Sequence, residues 1–254
     1  MMKSMLKTIK DSGLFALQFL TIFPVKLNTE PDQKTASTGL ALFPVVGLLL
    51  GLVLAVSDRI LSRFVPNSVL SVLIVVILIV ITGGLHQDGL ADTFDALGSG
   101  KDKNKMLEIM RDSRIGTMGT LSLICSVLIK ALLISSLPPL FRGAALIMLP
   151  AAGRWGMTLP LYTFRYAREE GKAKIFFGAA TTRAIVISTI ILVVPAFILL
   201  HFKGVLAAAL AGAAAYAFAR FMNKRLDGIT GDTLGAVNEI CEIAFLIVLI
   251  AIGK

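Results

Sequence analysis

Apolar residues run through this chain in blocks too long for the elements of a soluble core, and polar residues collect between them. About 18–20 apolar residues in helix suffice to cross a hydrocarbon layer roughly 30 Å thick. Seven stretches qualify, at 39–57, 68–85, 119–137, 143–164, 184–202, 204–221 and 234–253. The pattern predicts an all-α fold, a polytopic integral membrane helical bundle of about seven spans, in a single membrane-embedded domain over 1–254. A further stretch at 6–23, ended by Pro24, reads as an amphipathic or half-buried amino-terminal helix. Lys3, Lys7 and Lys10 ahead of it resemble a signal peptide, but Asp11, Gln18 and the missing A-x-A site argue that it is retained.

Composition agrees with this reading. Of 254 residues, 56% are hydrophobic and 16% charged, which excludes disorder; two cysteines, Cys125 and Cys241, and two histidines exclude a disulfide scaffold and a common zinc site. The net charge of +9 does not imply nucleic acid, because the basic residues flank apolar runs instead of lining one surface. Sorted by loop, 18 Lys and Arg fall on the amino-terminal side and 5 on the other, with Lys130 and Arg154 inside spans. The positive-inside rule then places the amino terminus in the cytoplasm and the chain in the cell (inner) membrane as a multi-pass protein.

The 16 acids are not scattered. Ten occupy two segments, one holding Asp88, Asp92, Asp95, Asp102, Glu108 and Asp112, the other Asp227, Asp232, Glu239 and Glu242. Both emerge on the predicted cytoplasmic face. In a helix, Asp88, Asp92 and Asp95 fall at i, i+4 and i+7, within about 60° of arc. Carboxylates so crowded suit a hard divalent cation, Mg²⁺ above all, held by one or two acids, water and substrate phosphate; the bland alternative is a solvated acidic face. Asp232 could join such a site or merely cap the last span. His86 could act as general base, a neighbour of the metal site, or a structural residue.

Met-Arg-Asp-Ser-Arg-Ile-Gly-Thr-Met-Gly at 110–119 sets Arg111 and Arg114 among glycine and hydroxyl groups, a setting for phosphate, although a positive flank explains the charges alone. Ionisable residues within spans are functional candidates by default: Arg154 could pair with Glu239 and Glu242 or reach a phosphate, and Lys130 could snorkel or pair with a Glu. The Gly/Ala run at 206–219 points to close helix packing. No P-loop, dinucleotide fingerprint or nucleophile elbow occurs.

The strings Gly-Gly-Leu-His-Gln-Asp-Gly-Leu-Ala-Asp-Thr-Phe-Asp-Ala (83–96), Met-Arg-Asp-Ser-Arg-Ile-Gly-Thr-Met-Gly (110–119), Gly-Arg-Trp (153–155) and Gly-Ile-Thr-Gly-Asp-Thr-Leu-Gly-Ala (228–236), with Gln-Phe-Leu-Thr-Ile-Phe-Pro-Val (18–25), closely resemble the cobalamin synthase family. Ala96 departs from the glycine common there. The resemblance implies adenosylcobinamide-GDP ribazoletransferase activity, a transfer of substituted phosphate in late coenzyme B12 assembly: a hydroxyl of α-ribazole, or of its 5′-phosphate, attacks the cobinamide-linked phosphorus and GMP leaves. Mg²⁺ is the implied cofactor. The expected roles are Asp88, Asp92, Asp95 and Asp232 for metal, His86, Asp92 and Asp95 for catalysis, and Arg111, Arg114, Arg154 and Thr230 for substrate. Expected partners are these two substrates and the bilayer, with no nucleic acid, and with the oligomeric state open. A CDP-alcohol phosphotransferase ranks second, because its D-G-x-x-A-R start does not fit Asp88-Gly89-Leu90-Ala91-Asp92. An ion-coupled transporter would need charged sites near the midplane and broken helices in paired halves. An interaction scaffold leaves the carboxylate stripe without a reason.

Overall fold

Each predicted stretch becomes helix, with shifted ends, in the computed structural model, which describes residues 2–27 and 30–253 and the side chains of 7–27 and 30–252. Lys254, counted on the sparsely basic side, lies outside the described residues. Helix α1 (Met2–Leu20) replaces the 6–23 expectation and stops short of Pro24; Ser12, Phe15, Ala16 and Leu20 are buried, while Lys7, Ile9, Lys10 and Gln18 are exposed, as an amphipathic helix requires. The stretch at 39–57 is interrupted at Leu42, between α2 (Gln33–Ala41) and α3 (Phe43–Leu61).

Helix α4 (Asn67–Thr82) ends in Gly83 and Gly84, with φ of 62° and 69°. Left-handed backbone at two successive residues is cheap only for glycine, and it turns the axis by 93° into α5 (Leu85–Gly98). If α4 crosses the bilayer, α5 therefore runs across its face. Helix α6 (Lys103–Ile109) and the span α7 (Thr117–Ser135) follow. The stretch at 143–164 divides into α8 (Pro139–Gly156) and α9 (Thr158–Thr163), and a short α10 (Lys174–Ala179) lies in the next loop.

Helix α11 (Thr182–Leu226) has 45 residues, which as a straight rod would be about 68 Å long, twice the bilayer core. It folds back instead: His201 has φ 53° and ψ −149°, and Gly204 returns so near the first arm that a Cβ there would lie 2.6 Å from the Ala196 carbonyl oxygen. The two arms are the stretches expected at 184–202 and 204–221. Ala207, Ala208, Ala211, Ala215 and Ala219 are all buried, as the Gly/Ala run implies. Helix α12 (Gly231–Gly253) is central, with 56% of its apolar window buried against 22–33% for the other spans.

Among the described residues, four helices are long and apolar enough to cross a membrane, α3, α7, α11 and α12, and five if the bent α4 and α5 pair is one span. The two arms of α11 count there as one helix, α4 has only 16 residues, and Arg142 and Arg154 lower the apolarity of α8; all seven expected stretches are nonetheless helical. Helices α3 and α8 pack backbone to backbone, since a Cβ on Gly47 would lie 2.4 Å from Ala151 Cα and one on Gly51 2.1 Å from the Ile147 carbonyl. Outward rows such as Leu121, Ile124, Leu128 and Leu132 are exposed and apolar, as lipid contact demands.

Candidate active site

The two acid-rich segments meet where α5 crosses the start of α12. Gly89 and Gly235 make the crossing: a Cβ on Gly89 would lie 2.6 Å from the Asp232 carbonyl oxygen and 3.1 Å from Gly235 Cα. Backbones this close bring Asp88 and Asp92 beside Asp232, although more than 130 residues separate them in sequence.

Most acids in these segments already have partners. Asp95 accepts the backbone N–H groups of Gly116 and Gly119, both at 2.7 Å, and so caps α7. Asp102 caps α6 through Lys105 N at 3.0 Å, and Glu108 pairs with Lys105. Asp227 pairs with Arg165 and Lys103, and Asp232 accepts from Arg168 at 2.6 Å. Among the described residues, no cation lies within ion-pair distance of Asp88 or Asp92. Burial first, then the carboxylates of Asp88, Asp232 and Asp95, push the Asp92 pKa up to about 7, against the opposing pull of Arg168.

The expected Mg²⁺ fits this chemistry without a ready cage. No group of three His, Cys, Asp or Glu side chains among the described residues is arranged to hold a metal. Mg²⁺, however, usually takes one or two carboxylates and completes its shell with water and substrate phosphate. The crowded, cation-free pair Asp88 and Asp92 is that kind of donor set, whereas the oxygens of Asp95 are committed to the α7 backbone.

Several expected substrate residues have other occupations. Arg114 is 87% exposed and its guanidinium is forked onto Asp112, donating at 2.6–3.1 Å; this holds the Asp112 carboxyl down at about 2. Thr230 is fully buried, where its hydroxyl accepts from Thr233 N at 3.1 Å and caps α12, so Thr230 and not Asp232 is the cap. Among the described residues Arg111 makes no ion pair, and it lines the same cavity as Asp92.

Arg154 takes the pairing alternative. It is buried and bonded to Glu242, whose second oxygen meets Lys130; Lys130 also reaches Glu239 at 2.7 Å. Ser126 donates to Glu239 at 2.9 Å, Gln87 at 3.3 Å, and Asn238 donates to Glu242 at 3.1 Å. Two cations and two anions close this network, which ties α5, α7, α8 and α12 together beneath the acidic face. His86 is buried beside it, its Nδ1 3.4 Å from Arg154 Nη2. Arginine only donates, so Nδ1 accepts and Nε2 carries the hydrogen; that Nε2 has no partner.

The site also contains residues that sequence reasoning missed. Arg168 lies in a loop stitched to the acidic turn by two backbone bonds, Ala167 N to Ile229 O at 2.9 Å and Ile229 N to Arg165 O at 3.0 Å. Its signal in the sequence, an Arg in a basic loop, is shared by every membrane flank. Gln87 and Asn238 adjoin singled-out residues, but nothing in their spacing marks them as bonded to Glu239 and Glu242.

Fold and site together define a polytopic helical membrane protein with an acidic face at one end of its bundle. The family described as cobalamin-5-phosphate synthase matches residues 12–250, and the chain belongs to that family. It is 41% identical to an adenosylcobinamide-GDP ribazoletransferase of Acetivibrio thermocellus, covering 92% of this chain and 95% of that one. It is 35% identical to the protein of that name from Clostridium tetani (94% and 96% covered) and 36% to that of Clostridium botulinum strain Langeland (96% and 99% covered). No solved structure matches.

Proposed function

We propose that this protein is an adenosylcobinamide-GDP ribazoletransferase, joining adenosylcobinamide phosphate to α-ribazole or its 5′-phosphate with release of GMP. The observation that carries the reading is the cation-free pair Asp88 and Asp92, brought against Asp232 by the α5 and α12 crossing. A phosphoanhydride substrate adds negative charge there, so a Mg²⁺ ion on Asp88 and Asp92, with Asp232 adjacent, would supply charge neutralisation as GMP departs. Arg111 offers a guanidinium to phosphate from the far side. The acceptor oxygen forms the new P–O bond, the bond to GMP breaks, and the hydroxyl proton must be taken up. A carboxylate of this cluster not engaged by the metal would take it; His86 is unsuited, since its Nδ1 accepts from Arg154 and its Nε2 already carries the hydrogen.

The excess of basic residues on one side supports a cytoplasmic face for the site in a cell membrane. The transporter reading has two of its ingredients, buried charges and a broken helix. Its weakness is that the buried charges neutralise one another, leaving the unpaired acids at the bundle end. The deciding assay uses purified protein in detergent with Mg²⁺, adenosylcobinamide-GDP and α-ribazole, and measures corrinoid product and GMP together. Equal production of both is expected; a folded preparation yielding neither would overturn the proposal.

A further inference from the structure

Two cavities of about 750 and 860 Å³ meet at Asp88, sharing Phe19, Leu85 and Asp88 in their walls. They differ in which side chains line them. The larger includes Asp92, Arg111, Asp112 and Ser113 beside apolar Ile22, Ile115 and Leu123. The smaller has an aromatic wall: Phe176 lies 5.1 Å from Phe15, 4.7 Å from Phe19 and 5.0 Å from Phe43, centroid to centroid. Its lining also includes His86, Tyr166, Arg168, Lys172 and Asp232. Two buried nitrogens among these, His86 Nε2 and Arg168 Nε, have no hydrogen-bond partner. Buried donors are rarely left unmet, and His86 Nε2, on a side chain only 2% exposed, is one that a ligand's acceptor oxygen or a water would satisfy. The volume is that of a small-molecule pocket.

We propose, resting on the ribazoletransferase reading, that the smaller cavity seats the nucleoside acceptor, its flat base against Phe19, the partly exposed ring of the Phe15, Phe43 and Phe176 cluster, and its sugar or phosphate oxygens toward His86, Arg168 and Lys172. The larger cavity then receives the nucleoside diphosphate end of the corrinoid substrate. Acceptor oxygen and scissile phosphorus approach from opposite sides of Asp88, as in-line displacement requires. Lys172, exposed at the rim, is the residue that distinguishes a phosphorylated acceptor from the free riboside.

The test measures KM for each substrate in wild type, Phe19→Leu and Lys172→Gln. Lys172→Gln should raise KM for α-ribazole 5′-phosphate about tenfold, with less than twofold change for adenosylcobinamide-GDP and a far smaller change for α-ribazole. Phe19→Leu, which alters a wall shared by both cavities, should raise KM for both acceptors; the choice between cavities is read from Lys172→Gln. Binding of α-ribazole 5′-phosphate, followed by calorimetry, should be weaker in Lys172→Gln and in Phe19→Leu than in wild type. Active enzyme in which Lys172→Gln leaves all KM values alone, or raises that of the corrinoid substrate instead, overturns the assignment of the cavity. Loss of all turnover in the wild type would instead count against the activity itself.

Discussion

Replacing Gly89 by alanine tests whether the α5 and α12 crossing assembles the site. The new Cβ would meet the Asp232 carbonyl oxygen at 2.6 Å, Asp232 Cα at 2.9 Å and Gly235 Cα at 3.1 Å. All three are backbone atoms, so no side chain can swing aside. Ordinary contact begins near 3.4 Å, and the helices must part by roughly 1 Å; overpacking of this kind costs about 1–3 kcal/mol. The same displacement separates Asp88 and Asp92 from Asp232, and a shift of about 1 Å at a reacting centre can cost on the order of 100-fold in rate. The assay is corrinoid product and GMP formation in detergent, together with thermal unfolding. Gly143→Ala, whose added Cβ meets nothing within 4 Å, is the control for adding a methyl group to a helix. A Gly89→Ala enzyme with the turnover and melting temperature of that control would refute the crossing as the organising contact.

Lys130→Met should strip the shared cation from Glu239 and Glu242 and destabilise the bundle by about 3–5 kcal/mol, read as thermal unfolding in detergent. Asp95→Asn should cost stability on the order of 1–2 kcal/mol through its two lost charged caps, yet lower turnover far less than Asp92→Asn, which should abolish it with membrane insertion intact. Asp92 sets a pH dependence of definite sign. Its folded-state pKa, raised from 3.8 to about 7, gives a stability contribution that is full below about 4 and lost as pH rises toward 7 in metal-free protein. Mg²⁺ needs the ionised form, so Mg²⁺ affinity should fall as pH drops below 7, and Asp92→Asn should remove both effects; calorimetric titrations across pH 5–8 would show it.

Spacing alone put Asp88, Asp92 and Asp95 on one helix face, and the helix is there. It could not divide their roles, because Asp95 is defined by the N–H groups of Gly116 and Gly119, which pack against it from another helix. Arg154 illustrates the same limit. Its place within an apolar stretch marked it as costly to bury, but whether Glu242 or a phosphate compensated that cost depended on which helices adjoin. Arg168 carried no signal, since a loop arginine acquires its meaning from the backbone pairing of 165–167 with 229.

Hydropathy determined what this chain is made of, membrane-length helices, because the free energy of burying apolar surface in lipid is a local sum over consecutive residues. Loop charges and the clustering of acids followed from the same one-dimensional reading, and so did the family resemblance. The tertiary structure decided what no local sum contains: the 93° bend at Gly83 and Gly84, the reversal at His201, and the Gly89 and Gly235 contact that makes two distant segments one site. Electrostatic roles fall off with distance in space, not along the chain. Only the fold could therefore separate the acids that are capped or paired from Asp88 and Asp92, which have no cation within ion-pair distance among the described residues.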